Sequence, residues 1–339
     1  VYTSPHIIDY NERIAVDGTF ASDSEIVAAF EKVEAARQGV SLTYFEYGTL
    51  AALVVFSAAD LDAWVLEVGM GGRLDATNAI EPTAALITNV ALDHCDWLGE
   101  DIETIAAEKA GVMRRDIPVV YGHIDVPRAV VAQADKIGAK LLLRGRDFTL
   151  EGVPQPGLAG EFQIGNAAAV LAMLGASGIA AATAPALVAA VLPQVQLTGR
   201  GQRIEQGGTE WLLDVAHNPA AAEALADVLG KGQHKGATTA IIGMLDDKDV
   251  EGVVMPLSEH VDRWIAVTAD SHRALRAAEL GRRLANACNR PCLVADSVEQ
   301  ALDSARRDAG INDRLLVTGS FYLVGPVLNQ LRLYSRPQK

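Results

Sequence analysis

The segment DIETIAAEKAGVMRR, residues 101–115, carries a lysine on a face that should be buried. Its pattern predicts a helix, with Asp101 capping the N-terminus and arginines at the far end. The apolar residues of one helical face are Ile102, Ile105, Ala106 and Met113. Lys109 lies on that same face. It is either a lysine that snorkels to solvent, a buried ammonium that needs a partner, or an amine that CO₂ has converted into a carbamate anion suited to a magnesium site.

Glu67 and His94 follow two apolar segments that are predicted as strands. Glu67 lies near the end of AWVLEV, just before the glycine-rich turn GMGG, while His94 follows TNVALD. In open parallel sheets, ligands bind beyond the carboxyl ends of the strands, so these side chains are expected to lie close together. A carboxylate at the end of a buried strand needs a partner or a metal. The alternatives are a tight turn that requires glycine and a loop histidine satisfied locally, since Mg²⁺ prefers oxygen ligands and keeps waters.

A second group of polar residues lies in the motif LLDVAHNP. Asp214 ends an apolar segment, and His217 precedes Asn218 and Pro219 at the start of a predicted helix. A helix N-terminus suits phosphate or carboxylate. The arginines available upstream as phosphate partners are Arg200 and Arg203. The alternative is plain helix capping by Asn218, with Pro219 at the first helical position.

The elements that must position these residues alternate between short apolar segments and helical patterns. The predicted strands are 64–68, 84–90, 118–121, 210–215, 238–243, 262–268 and 314–318. The predicted helices are 24–37, 46–58, 101–114, 127–137, 219–229, 272–288, 297–308 and 321–333. This alternation predicts an α/β fold with doubly wound parallel sheets. The loop PQVQLTGRGQ, residues 193–202, predicts the boundary between a domain 1–196 and a smaller domain 197–339.

Composition restricts the classes of function. The chain has 339 residues, a net charge of −14 and a pI near 4.9, which argue against nucleic-acid and anionic-membrane surfaces. Three cysteines give no disulfide framework, and no signal peptide is visible, so a reducing cytoplasm is expected. Residues 162–199 lack charged side chains, but glycines and Pro185 divide them, which predicts two short packed helices instead of a membrane span.

Eight longer motifs cover nearly the whole chain. They are YTSPHIIDYNERIAV, SLTYFEYGTLAAL, LEVGMGGRLDATN, ALDHCDWLG, EKAGVMR, LLDVAHNP, IIGMLDDKD and VTGSFYLV. Together they resemble the bifunctional dihydrofolate synthase/folylpolyglutamate synthase family of the Mur ligase superfamily. LTYFEYGT and GGRLDATN favour folate synthases over cell-wall ligases.

The resemblance implies a Mur-ligase-type nucleotide-binding domain followed by a smaller, Rossmann-like C-terminal domain. It also implies a cytoplasmic, monomeric enzyme that uses ATP and Mg²⁺ to phosphorylate a substrate carboxylate. The amine of L-glutamate then attacks the acyl phosphate to form an amide. The acids implied are dihydropteroate and the glutamate tail of tetrahydrofolates.

The resemblance also implies roles for individual residues. The magnesium ligands implied are Ser4, Glu67 and His94. The catalytic residues implied are Glu67, His94, His217 and Lys109, the last as the family's carbamylated lysine. The ATP contacts implied are Asn166, Arg200 and Asp214. The pterin pocket implied is Thr43, Phe45, Asp75 and Ala76. The residues implied around glutamate are His217, Ser320 and Phe321.

The sequence departs from the family pattern in its phosphate-binding loop. The family's first strand and Gly-Lys-Gly type loop would precede Val1, and no G-x-x-x-x-G-K-[ST] run occurs in the 339 residues. A fragment with little ligase activity is therefore expected, until an upstream strand and loop are restored. Segment 147–160 is shorter than usual, and Gly201 stands where the family usually carries an aromatic residue. Two alternatives stay open: a related Mur-type ligase acting on another acid, and a non-catalytic remnant.

Overall fold

The computed structural model describes residues 1–93, 95–231 and 234–334, which form two compact units. The first comprises Val1–Thr149 and Ala169–Ala181, and the second comprises Leu150–Ala168 and Ala182–Tyr334. Both contain parallel sheets flanked by helices, which is the α/β class that the sequence predicts. The position between residues 196 and 197 lies within the second unit, and its assignment as a domain boundary stays a prediction.

The first unit opens with a short antiparallel hairpin and two helices. The hairpin pairs β1 (Ala15–Val16) with β2 (Thr19–Phe20). Both residues of its turn, Asp17 and Gly18, have positive φ, as two-residue hairpin turns favour. The helices that follow are α1 (Asp23–Arg37) and α2 (Tyr44–Ser57). Each begins with a capping box, in which a Ser or Thr and a Glu three residues later satisfy the first backbone N–H groups.

A three-stranded parallel sheet forms the core of the first unit. Its strands, in spatial order, are β3 (Ala85–Ile87), β4 (Pro118–Tyr121) and β5 (Lys140–Leu143). The helices between these strands are α3 (Cys95–Leu98), α4 (Ile102–Ala110) and α5 (Arg128–Ile137). Ala106 and Ala110 of α4 and Val130 of α5 pack against the sheet, so both long helices bury their apolar faces there.

Two helices occupy the uncharged segment, as the sequence predicts. They are α6 (Phe162–Ala176), which contributes residues to both units, and α7 (Pro185–Val191), which has proline at its first position. Among the helices of the described ranges, none has both the length and the apolar character of a membrane span.

The second unit contains a six-stranded sheet. Its strands along the chain are β6 (Gln202–Gln206), β7 (Thr209–Leu213), β8 (Thr238–Ile242), β9 (Arg263–Val267), β10 (Cys292–Ala295) and β11 (Arg314–Thr318). Their spatial order is β10-β9-β8-β11-β7-β6, and all neighbours are parallel except β6 with β7. The flanking helices are α8 (Pro219–Lys231), α9 (Val250–Leu257), α10 (Ala277–Cys288), α11 (Val298–Asp308) and α12 (Phe321–Leu331).

Four predicted elements differ clearly from the structure. The predicted strand 84–90 ends at Ile87, and the predicted helix 272–288 begins only at Ala277. The predicted strand 64–68 is wrong: its segment pairs through a single bridge between Leu66 and Tyr2. The reason is that Tyr2 alone reaches it, donating its N–H to the Val65 carbonyl at 2.8 Å and accepting from the Glu67 N–H at 2.9 Å. The predicted helix 101–114 is too long, because α4 ends at Ala110 and its arginines lie beyond the helix.

The end of α4 is fixed by a close approach to the glycine-rich loop, residues 69–75. A side chain at Gly111 would place its Cβ 2.5 Å from the Cα of Arg73, and one at Gly72 would lie 3.0 Å from the Glu108 carbonyl oxygen. The Arg73 N–H also donates to that oxygen, at 2.9 Å. Only glycine leaves room for this contact, so the last turn of α4 and the loop hold each other in place.

We expect Gly111→Ala to lower the free energy of unfolding by about 1–3 kcal/mol, because the new methyl group meets backbone that cannot move aside. Gly175→Ala in α6 is the matched control, since open space surrounds that position and alanine favours a helix. Urea unfolding of both variants measures the difference. Equal stabilities for the two variants would contradict the close approach.

Candidate active site

Glu67 is held by the first residues of the chain. The Thr3 hydroxyl donates to Oε2 of Glu67 in a short hydrogen bond, and the Ser4 N–H donates to the same oxygen at 3.0 Å. Among the described residues, no group donates to Oε1. The structure therefore brings together two of the predicted magnesium ligands, Ser4 and Glu67, and leaves one carboxylate oxygen for another partner. The third, His94, lies outside the described residues.

Lys109 lies in the last turn of α4, on the turn that contacts the glycine-rich loop. Burial lowers the pKa of its ammonium group, and the negative charge of Asp93 opposes that shift. The side chain is half-buried, as the helical pattern predicts. A lowered pKa increases the neutral fraction of the amine near neutral pH.

Phe45 and Asp75 meet at Gly69 of the glycine-rich loop. A Cβ at Gly69 would lie 2.5 Å from Cζ of Phe45, so the ring packs directly on the backbone there. Asp75 accepts from the N–H groups of Gly69 and Met70 at 3.0 and 3.1 Å. Its other oxygen accepts from the N–H and the hydroxyl of Thr77. Asp75 therefore shapes the loop with both carboxylate oxygens.

The other two residues of the predicted pterin pocket are at helix starts. Thr43 caps α2, with its hydroxyl accepting from the Glu46 N–H at 3.2 Å. Ala76 begins the 3-10 helix Ala76–Ala79, directly after Asp75. Thr43 is two residues before Phe45, and Ala76 directly follows Asp75. Both therefore lie close in the chain to a residue that contacts Gly69.

In the second unit, four of the predicted residues converge. The Arg200 guanidinium lies over the Phe321 ring, with Cζ 5.1 Å from the ring centroid. The His217 ring lies 5.9 Å from the same ring. Asp214 accepts from the N–H groups of Gly201, at 2.7 Å, and Ala216, at 2.8 Å. Asp214 thus joins the segment carrying Arg200 to the segment carrying His217.

The chemistry of this cluster follows from its hydrogen bonds. Burial raises the pKa of Asp214, while the N–H donors of Ala216 and Gly201 and the charge of Arg200 oppose the rise. His217 Nδ1 lies 2.9 Å from the Val215 carbonyl oxygen. Because a carbonyl only accepts, Nδ1 carries the proton in this contact. The imidazole is therefore held in one orientation.

Two further predicted residues have local structural contacts. Ser320 is buried and caps α12, accepting from the Tyr322 N–H at 3.1 Å. Asn166 on α6 donates its amide to Oε1 of Gln163 at 3.0 Å. Ser320 directly precedes Phe321, so its cap orients the helix on which that ring lies.

Sequence reasoning missed Thr3, which donates to Glu67, and Asp93, whose charge acts on Lys109. Thr3 lies 64 residues from Glu67, and only its position beside Ser4 could have drawn attention to it. In the described part of the chain, no group of three His, Cys, Asp or Glu side chains is placed to hold a metal ion.

Comparison with protein families defines the class of the chain. Residues 26–144 match the Mur ligase middle domain, and residues 199–321 match the Mur ligase glutamate ligase domain. The two matches fall in order along the chain and include Glu67 and Lys109 in one and Arg200, Asp214 and His217 in the other. The fold is thus that of a Mur-type ligase.

Individual relatives narrow the class. The dihydrofolate synthase/folylpolyglutamate synthase of Escherichia coli is 39% identical, over 97% of this chain and 79% of its own length. That of Haemophilus influenzae is 36% identical, over 96% of this chain and 80% of its own length. The chain belongs to the dihydrofolate synthase/folylpolyglutamate synthase family.

Solved structures agree with this assignment. The Escherichia coli protein in complex with DHPP and ADP superposes with a TM-score of 0.89 and 38% identity, over 98% of this chain and 81% of its own. The Yersinia pestis protein complexed with AMPPNP and Mn ion also has a TM-score of 0.89 and 38% identity, over 98% of this chain and 82% of its own. A related structure with Mn, AMPPNP and L-glutamate bound has a TM-score of 0.90 and 38% identity, over 98% of this chain and 82% of its own.

We expect Asp75→Ala to loosen the glycine-rich loop, because three backbone N–H groups and one hydroxyl lose their acceptor. The cost should be about 1–3 kcal/mol of unfolding free energy. Amide hydrogen exchange at Gly69, Met70 and Thr77 should become faster. Asp60→Ala, at an exposed position, is the control. Unchanged exchange at all three amides in the Asp75 variant would show that the carboxylate does not hold the loop.

Proposed function

We propose that the chain is an ATP-dependent ligase that joins L-glutamate to dihydropteroate and to the glutamate tail of tetrahydrofolates. The observation that carries this proposal is the 39% identity to the Escherichia coli enzyme across 97% of the chain. Related structures bound to ADP, to an ATP analogue with Mn, and to L-glutamate support it.

The reaction has two steps. A carboxylate oxygen of the acid attacks the γ-phosphorus of ATP, and ADP leaves, which gives an acyl phosphate. The amine of glutamate then attacks the carbonyl carbon, phosphate leaves, and the nitrogen loses a proton to form the amide. Since little covalent chemistry falls to the protein, its contribution is positioning and charge stabilisation.

Glu67 and Ser4 are proposed to hold Mg²⁺ together with His94. Mg²⁺ is usually bound by one or two carboxylates plus substrate phosphates and keeps several waters. The unengaged Oε1 of Glu67 and the nearby hydroxyl of Ser4 fit this donor set. When bound, the ion neutralises charge on the transferring phosphoryl group. Thr3 orients the Glu67 carboxylate through its hydroxyl.

Lys109 is proposed to carry a carbamate. Only a neutral amine adds CO₂, and the burial that lowers the Lys109 pKa favours that form. The product is an anion, which suits the neighbourhood of a divalent cation. The contact between α4 and the glycine-rich loop fixes the turn on which Lys109 lies.

The remaining predicted residues are proposed to bind substrates. Asn166, Arg200 and Asp214 are assigned to ATP. The ring of Phe45 is assigned to the pterin, with Thr43, Asp75 and Ala76 shaping its pocket. The side chains of His217 and Phe321 are assigned to glutamate, with Ser320 orienting Phe321. The enzyme is further proposed to be a cytoplasmic monomer.

Substrate-dependent ADP release tests the proposed function. The protein expressed from its natural gene should release ADP only when ATP, Mg²⁺, dihydropteroate and L-glutamate are all present. Glu67→Gln should abolish release, while Glu31→Gln, at an exposed position of α1, should not. Release that depends on a cell-wall precursor in place of dihydropteroate would favour the alternative ligase. Binding of neither nucleotide nor pterin would favour a non-catalytic remnant.

We expect Lys109→Ala to lower kcat by about 10–100-fold, because the site loses an anion that supports the metal ligands. A small carboxylic acid added to the assay should restore part of the rate. Lys109→Arg should not be rescued, since a guanidinium keeps its charge and does not form a carbamate. Lys136→Ala, on the exposed face of α5, is the control. A fully active Lys109→Arg enzyme would contradict the carbamate.

A further inference from the structure

Arg13 is a buried cation with no carboxylate partner among the described residues. Only 7% of the surface of Arg13 is exposed to solvent. Its Nε donates to Nδ1 of His6 at 2.8 Å, and its side chain shares a hydrogen bond with the Tyr2 hydroxyl. A guanidinium carries five N–H donors and a permanent charge, so these two contacts with neutral groups leave most of its capacity unused. An uncompensated buried charge is costly, which indicates a partner that the chain itself does not supply.

His6 does not neutralise this charge. The ring accepts from Arg13 at Nδ1, so it is neutral and protonated on Nε2. The Tyr2 hydroxyl, which also shares a hydrogen bond with Arg13, is likewise an uncharged group. Both polar neighbours therefore orient Arg13 and leave its charge in place.

Two tyrosine rings flank the guanidinium. Cζ of Arg13 lies 5.5 Å from the ring centroid of Tyr10 and 5.4 Å from that of Tyr44. The two centroids are 6.0 Å apart, so the rings lie on adjacent sides and do not enclose the cation between them. Tyr44 is 64% exposed, although it covers a buried residue. An aromatic surface thus leads from solvent to the cation.

Arg13 is connected to the candidate site through its backbone. Its carbonyl oxygen accepts from the Thr3 N–H at 3.0 Å, and Thr3 in turn donates to Glu67. Tyr2, beside the guanidinium, lies 5.8 Å, centroid to centroid, from the ring of Phe45. Arg13 is therefore one residue removed from the predicted metal ligand Glu67, through Thr3, and one residue removed from the predicted pterin contact Phe45, through Tyr2.

We propose that Arg13 binds a carboxylate of the acid substrate, with the neighbouring rings packing against the aromatic part of that acid. The planar fork of a guanidinium matches the two oxygens of a carboxylate. This assignment rests on the proposed ligase function and names the residue that selects an acid over its neutral analogue. Two carboxylates meet the description: that of dihydropteroate itself, and the α-carboxylate of a glutamylated folate.

The test compares binding of an acid with binding of its amide. Calorimetric titration measures dihydropteroate and its primary amide against the wild-type protein, Arg13→Gln and the control Arg37→Gln. Arg37 is a surface residue of α1 that pairs with Glu34. The wild-type protein and the control should prefer the acid by about 10- to 100-fold, as a charge-assisted hydrogen bond gives. Arg13→Gln should lose this preference with unchanged affinity for the amide.

The outcomes separate this inference from the function on which it rests. Equal weakening of acid and amide in Arg13→Gln, or an unchanged preference, would overturn the role of Arg13 and leave the ligase function intact. Wild-type protein that binds neither compound would refute both. If Arg13→Gln does not fold, Arg13→Lys decides: a reduced preference with unchanged amide affinity supports the proposal, and a full preference overturns it. The same titrations with tetrahydrofolate and its α-amide identify which carboxylate is bound.

Discussion

The close packing of the glycine-rich loop on the last turn of α4 is the contact on which the first unit's site depends. Gly72 and Gly111 allow two backbone segments to approach within a distance that no side chain would tolerate. The loop begins two residues after Glu67, and the turn carries Lys109. One contact therefore limits the movement of a carboxylate and an amine that are 42 positions apart in the sequence. Within the same loop, Asp75 accepts from the Gly69 and Met70 N–H groups, and the Phe45 ring packs on Gly69.

The second unit follows the general rule for parallel sheets. Asp214 follows β7, and Ser320 and Phe321 follow β11, which is hydrogen-bonded to β7. Their side chains therefore emerge at neighbouring carboxyl ends of strands, where ligands of open α/β sheets bind. Asp214 uses its carboxylate to tie the Arg200 segment to this edge. The arrangement places a cation and an imidazole against an aromatic ring at the start of α12.

Much of the fold could be predicted from local pattern. The strand 118–121 and the helix 127–137 agree with β4 and α5 to within one residue, because their apolar periodicity is undisturbed. Strand β6 was not predicted, because its sequence QRIEQ is mostly polar and lacks the alternation of apolar and polar residues that indicates a strand. The predicted strand 64–68 failed for the opposite reason: its residues suit a sheet, but strand pairing requires a neighbour along its whole length. Lys109 was identifiable from spacing alone, whereas Thr3 contacts Glu67 across 64 residues, a separation that no local pattern records.

The central claim is that Glu67 and Lys109 belong to one metal site organised by this loop contact. Anomalous diffraction from crystals grown with Mn²⁺ and a non-hydrolysable ATP analogue tests it directly. The account predicts an anomalous peak at bonding distance from a carboxylate oxygen of Glu67, with added density on the nitrogen of Lys109 directed toward the same ion. A peak bound elsewhere, or a bare Lys109 amine turned to solvent, would contradict it.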